Sequence, residues 1–153
     1  MKISIDLDDT ILVRDNYPFT EIGTSPLVRG AVIEHFRAGT RELFYFLEKT
    51  NFEVGIYTNS YRGKSALENW FKENGFKINF VINQQIHDVR IDKEPNRYSL
   101  PDKCPHFFGI DIHIDDLKKI KDECEKFGVT VILADEEEDW AEKVINELKS
   151  IEL

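Results

Sequence analysis

Five short apolar runs punctuate the chain, at residues 2–7, 52–58, 79–83, 111–115 and 129–134. Each has the length and the Ile, Val or Phe content of a strand buried on both faces. Between most of them, apolar residues recur at helical spacing. Leu43, Phe44, Phe46 and Leu47 follow Thr40, a candidate helix cap, and Leu67, Trp70 and Phe71 follow Ser60 and stop at Gly75. A third helical pattern runs from about residue 117 to 127 and is stopped by Gly128. A fourth, from Asp139 to about Ser150, places Trp140, Val144, Ile145 and Leu148 on one face. Strands alternating with helices predict an α/β fold, a mostly parallel sheet with helices on both faces. Residues 11–36 break this rhythm. Pro18, Gly23, Pro26 and Gly30 surround the strand-like Leu27-Val28 and Ala31-Val32-Ile33, which predicts a hairpin-rich flap over the end of the first strand.

With 153 residues, 41% of them hydrophobic, the chain suits one domain over 1–153 with a sizeable core. It contains no apolar stretch long enough to span a membrane, and its first residues enter a strand at once, leaving no room for a signal peptide. Cys104 and Cys124 fall in no ligand pattern and are expected to be reduced thiols, which points to a cytoplasmic protein. His35, His87, His106 and His113 share no close ligand spacing either, and His113, inside a strand, reads as structural. The net charge of −9 is uneven: residues 1–110 are nearly balanced, and the surplus of acid lies in residues 111–153. No basic excess marks a nucleic-acid surface, so no nucleic-acid partner is expected. The run Asp135-Glu136-Glu137-Glu138-Asp139 reads as a solvated loop and helix start.

Chemistry concentrates at the ends of the apolar runs. The first ends in Asp6-Leu7-Asp8-Asp9-Thr10, and the fourth in Asp115-Asp116. Carboxylates crowded at a strand end repel one another and resist desolvation; a hard cation such as Mg²⁺ relieves both costs. If the first and fourth strands are neighbours, Asp6, Asp8 and Asp115 converge on one cation, at the strand ends where open α/β sheets bind ligands. The second run ends in Thr58-Asn59-Ser60 before a helical pattern, a seat for phosphate. A lysine upstream of the fourth strand would offset phosphoryl charge; Lys103 is the first choice and Lys93 the reserve.

These residues resemble, in order, the motifs of the haloacid dehalogenase (HAD) superfamily of phosphohydrolases. Asp6-Leu7-Asp8-Asp9-Thr10 is similar to its Asp-x-Asp-x-Thr/Val motif, Thr58 to its second, Lys103 to its third and Asp115-Asp116 to its acidic fourth. The resemblance spans nearly the whole chain and implies a three-layer Rossmann-like sheet of order 5-4-1-2-3. It also implies roles. Asp6 is the nucleophile and Asp8 the acid and then base. Mg²⁺ is bound by the Asp6 carboxylate, the Asp8 backbone carbonyl and Asp115, with Asp116 behind them. Thr58, the Asn59 N–H and Lys103 hold the phosphoryl group, and Thr10 supports the turn. Neither stretch where this family inserts a cap, 11–51 or 59–102, has space for one, so a small capless phosphatase acting on a phosphorylated substrate is expected. Arg14, Asn16, Tyr17 and Phe19 on the flap, and Arg62 and Lys64 after the phosphate seat, are candidate substrate contacts. Two alternatives stand beside it: a non-catalytic phosphate- or metal-binding protein on the same fold, and a phosphorelay receiver-like domain, disfavoured because its third strand would have to end in Asp and ends here in Val81-Ile82-Asn83.

Overall fold

A computed structural model describes residues 1–151. The five apolar runs form one parallel sheet: β1 (Lys2–Ile5), β5 (Glu53–Tyr57), β6 (Phe80–Ile82), β7 (Ile112–Asp115) and β8 (Thr130–Leu133). Across the sheet they lie in the order β6-β5-β1-β7-β8. These chain-order labels depart from the expected 5-4-1-2-3 because the flap contributes three strands between the first and second strands of the sheet: β2 (Leu12–Arg14), β3 (Leu27–Arg29) and β4 (Val32–Phe36). β1 is central. Ile5 pairs with Ile56 of β5 on one side and with Ile114 of β7 on the other. Both faces of β1 are covered, and Ile3, Ser4 and Ile5 have no exposed surface.

The helices are α1 (Thr40–Glu48), α2 (Lys64–Glu73), α3 (Gln84–Ile91), α4 (Lys118–Glu125) and α5 (Trp140–Ser150). Two cap expectations fail. Thr40 lies inside α1 and donates its Oγ1 to the Arg37 carbonyl (2.6 Å). The cap position is Gly39, at φ 101°, and Glu21 Oε2 from the flap accepts the free N–H groups of Gly39 and Arg41 (both 3.1 Å). Ser60 does not start α2 either; the helix begins after Gly63. The Ser60 N–H is taken by Thr58 Oγ1 (3.2 Å), a local side-chain turn that competes with helix initiation. α3 has no counterpart in the helical patterns read above, because only His87 is buried along it. Its start was legible nonetheless: Asn83, just after a strand, accepts the Ile86 N–H (2.9 Å) as a regular N-cap.

The flap is a small antiparallel sheet of order β2-β4-β3. It is rooted in the main core rather than hung on the surface. Phe36, at the end of β4, is fully buried and stacks on Trp70 of α2 with ring centroids 3.8 Å apart, while Phe71 and Phe76 meet it edge-on. Gly55 shows how tightly β5 is covered: a Cβ there would lie 2.4 Å from the Phe80 ring. No helix among the described residues is long and apolar enough to cross a membrane.

Phe36→Ala is expected to destabilise the fold by about 3–5 kcal/mol, the usual cost of deleting a fully buried aromatic ring. Urea denaturation checks this. A loss below about 1 kcal/mol would mean that the flap root does not share the main core.

Candidate active site

β1 delivers its carboxylates by ending early. After Ile5 the Asp6 N–H still bonds the Ile114 carbonyl (2.9 Å), so Asp6 stays in register beside the end of β7. The chain then turns sharply: the Leu7 carbonyl accepts the N–H groups of Thr10, Ile11 and Leu12 at 3.1, 3.1 and 2.9 Å. The turn requires φ 63° at Asp9, a left-handed conformation that Asp tolerates better than most residues. Leu7 and Ile11 point into the core, Asp6 is nearly buried, and Asp8 is turned outwards with half of its side chain exposed.

Asp6, Asp115 and Asp116 form one cluster, each contributing an oxygen within 4.8 Å of the others. Lys103 enters it from the loop before β7. Its Nζ lies 2.7 Å from Asp6 Oδ1 and 2.7 Å from Asp115 Oδ2, with its side chain almost wholly buried. Lys93, by contrast, is exposed beyond the end of α3. Two contacts hold the Lys103 loop: the Cys104 N–H donates to the Tyr57 hydroxyl (2.9 Å), and the Cys124 thiol donates to the Lys103 carbonyl (3.5 Å). The Tyr57 hydroxyl is in turn hydrogen-bonded to His87 Nδ1, so β5, α3 and the lysine loop share one buried network. Burial pushes both thiols up, Cys104 to about 11 and Cys124 to about 12, so neither is a ready nucleophile.

Asp115 is the most committed acid. Besides Lys103 it accepts His113 Nε2 (2.8 Å) and the Leu117 N–H (3.1 Å). His113 is fully buried, and burial together with Lys103 lowers its proton affinity. Neutral, it donates from Nε2 to Asp115 and accepts the Ser4 hydroxyl at Nδ1 (2.7 Å). Burial acts to raise Asp115, but the His113 hydrogen bond and Lys103 outweigh it and hold the carboxyl well below the usual range. Burial also works against the charge of Lys103, and there Asp6 and Asp115 prevail, holding the ammonium above its ordinary range. Asp6 is raised, by burial first and with Asp115 adding to it against the pull of Lys103.

Asp116 differs. Its one bond from a hydroxyl is from Thr10 Oγ1 (3.2 Å), which also reaches Asp6 Oδ2 (3.0 Å). Burial, then repulsion from Asp6 and Asp115, lifts it to about 7. Three carboxyl groups beside one ammonium leave negative charge uncompensated, and the donor set is all oxygen. Both properties suit a hard cation. Asp115, expected as a ligand, contributes to this cluster while also bonded to Lys103, His113 and the backbone; Asp116, expected behind it, joins the cluster and has the freer oxygens.

Thr58 is buried at the end of β5, with its hydroxyl facing the Ser60 hydroxyl (3.3 Å), and Asn59 is exposed beside it. The Asp8 side chain lies outside the acidic cluster and pairs with Arg62 (2.8 Å). Between Asp8 and the flap opens a cleft of about 710 Å³, lined in part by Arg14, Asn16, Val32, Ile33, Glu34 and Arg62. Tyr17 and Phe19 do not line it but pack edge-on against each other, and Lys64 pairs with Glu68 at the start of α2. Ser4, His113 and Glu34 did not stand out in the sequence as site residues. Ser4 and His113 were detectable as polar residues within fully buried strands, which must find partners; nothing local distinguished Glu34. Compared with known proteins, the chain matches no family model and no curated protein.

Asp116→Asn tests the charge imbalance. The unfolded carboxyl loses its proton near its ordinary value of 3.8 and the folded one at about 7, so between those values the folded state binds more proton. The wild type therefore loses stability relative to the variant as pH rises through that window, and the difference then levels off. Urea denaturation at about pH 5 and about pH 8, without divalent cation, is expected to show the larger advantage of the variant at the higher pH. Equal advantages at both would refute the raised affinity of Asp116 for its proton.

Proposed function

We propose that this protein is a Mg²⁺-dependent phosphohydrolase of the haloacid dehalogenase kind, which cleaves a phosphate monoester through an aspartyl-phosphate on Asp6. One observation carries the reading: the Asp6 carboxylate stands at the end of the central strand, bonded to a buried Lys103 and clustered with Asp115 and Asp116. A purely structural cluster has no need of three acids around one ammonium. The remaining pieces support it. Thr58 ends the neighbouring strand on one side, and the acidic pair ends the neighbour on the other.

In this mechanism an Asp6 oxygen attacks phosphorus as the bond to the leaving oxygen breaks, and Asp8 gives that oxygen a proton. Asp8 then takes a proton from water as the water oxygen attacks phosphorus, which frees phosphate and restores the Asp6 carboxylate. Lys103, the Thr58 hydroxyl and the Asn59 N–H hold the phosphoryl oxygens. Asp6, Asp115 and Asp116, with the Asp8 carbonyl, are the groups that would hold the cation, and Asp115 also positions Lys103. When bound, Mg²⁺ supplies positive charge to the carboxylates and the phosphoryl group. The flap and the stretch 59–102, which contains α2, β6 and α3, leave the cleft open, in keeping with a phosphate carried on a larger molecule. The receiver-like alternative lacks its acid: β6 leads into Asn83, whose side chain is committed to capping α3 and to the Arg62 carbonyl.

Hydrolysis of 4-nitrophenyl phosphate is expected to require Mg²⁺ and to fall at least about 10³-fold in Asp6→Asn, while folding is retained. In parallel, millimolar MgCl₂ should raise the thermal midpoint of the wild type and leave Asp116→Asn nearly unmoved. Turnover that persists in Asp6→Asn would remove Asp6 as nucleophile, and a stabilisation by Mg²⁺ that survives Asp116→Asn would remove Asp116 as ligand.

A further inference from the structure

Arg62 looks like a free surface cation in the sequence, but its guanidinium is almost fully engaged. One edge faces Glu34, with Nε 3.3 Å from Oε1 and Nη2 2.6 Å from Oε2. The other edge faces Asp8, with Nη2 2.8 Å from Oδ1 and Nη1 3.0 Å from Oδ2. The Asp8 pairing is a two-bond fork, which fixes a carboxylate in plane and direction as a single contact cannot. The fork is itself held from three sides. Glu34 is buried on β4 of the flap, where Arg29 of β3 also binds it (3.1 Å). The Arg62 carbonyl accepts Asn83 Nδ2 from the cap of α3 (3.1 Å). The Arg62 N–H reaches the Ser60 hydroxyl (3.4 Å) in the loop that leaves Thr58.

Two nearly buried charges gain little net stability from pairing, because desolvation offsets their attraction. What such a pair does supply is direction. Asp8 sits on a tight turn with half its side chain in water, so without the fork its carboxylate is free to rotate.

We propose that Arg62, braced by Glu34, is a positioning residue that aims the Asp8 carboxyl group, the proton donor of the first step and the base of the second, at the leaving-group oxygen. This rests on the acid role given to Asp8 above. It also removes Arg62 from the substrate contacts expected from the sequence, since both of its edges are spent on carboxylates. The flap thereby takes part in the chemistry through Glu34, without touching the phosphoryl group.

The test compares two esters, phenyl phosphate, whose leaving oxygen needs a proton, and 2,4-dinitrophenyl phosphate, whose leaving oxygen does not. Arg62→Lys keeps the charge and loses the fork. It is expected to lower kcat on phenyl phosphate by about 10- to 100-fold, a part of the whole effect of a general acid, and on the dinitrophenyl ester by less than about threefold, with KM little changed on both. Glu34→Gln should show the same selectivity with a smaller loss. In an Asp8→Asn background, Arg62→Lys should cost less than about twofold on either ester. Equal losses on both esters, or a rise in KM at constant kcat, would overturn the proposal in favour of a structural or substrate-binding role. If Asp8→Asn itself shows no selectivity between the esters, the acid role of Asp8 fails and the proposal falls with it; if Asp8→Asn is selective and Arg62→Lys is not, the proposal alone falls. A crystal structure of Arg62→Lys provides a readout independent of turnover: the Asp8 carboxylate is expected to leave its wild-type orientation, and finding it unmoved would also overturn the proposal.

Discussion

The arrangement depends on a single buried ammonium. Lys103 stands 2.7 Å from a carboxylate on each of two adjacent strands. Like charges brought this close in a dry setting cannot all remain ionised unaided. The lysine lets β1 and β7 end in acids side by side, and the parallel register of the sheet does the rest by bringing the two strand ends level. Everything that secures Lys103 is therefore part of the site: the Tyr57 hydroxyl under its loop, the Cys124 thiol on its carbonyl, and the His113–Ser4 pair that fixes Asp115 from behind. These residues lie in strands or helices that the core already immobilises, so the polar network inherits its precision from apolar packing.

Much of this was legible in the sequence. The five sheet strands follow from runs too short and too apolar to be anything else, and the central position of β1 makes neighbours of the two acidic strand ends. Lys103 could be preferred but not chosen outright, because a lysine in a loop carries no local mark of burial. The different surroundings of Asp115 and Asp116 were not legible either. Their difference arises from His113 and Lys103, one two residues away along the strand and the other in a loop whose path depends on the whole fold. Helix starts failed where side chains found closer partners: Ser60 turns back on Thr58, and Glu21 reaches across from the flap to cap α1. α3 went unseen because it lies on the surface with one buried residue, and so shows little helical periodicity.

The flap was legible as hairpins but not in its attachment. Its prolines and Gly30 turn suggest an appendage, whereas Phe36 places its root in the aromatic stack with Trp70, Phe71 and Phe76. Pro and Gly signals report turns, and turns say nothing of what the intervening strands pack against.

That root bears on what the cleft could admit. A cover hinged on an exposed loop can close over small molecules and open for large ones, adapting its volume to each. A cover whose last strand ends inside the hydrophobic core cannot swing without breaking that core. The cleft beside Asp8 is in this respect a fixed gauge. On the function proposed above, it would sort molecules by the shape of the part that must fit between Val32, Ile33 and the Asp8 turn, while whatever lies beyond the rim would be left unmeasured.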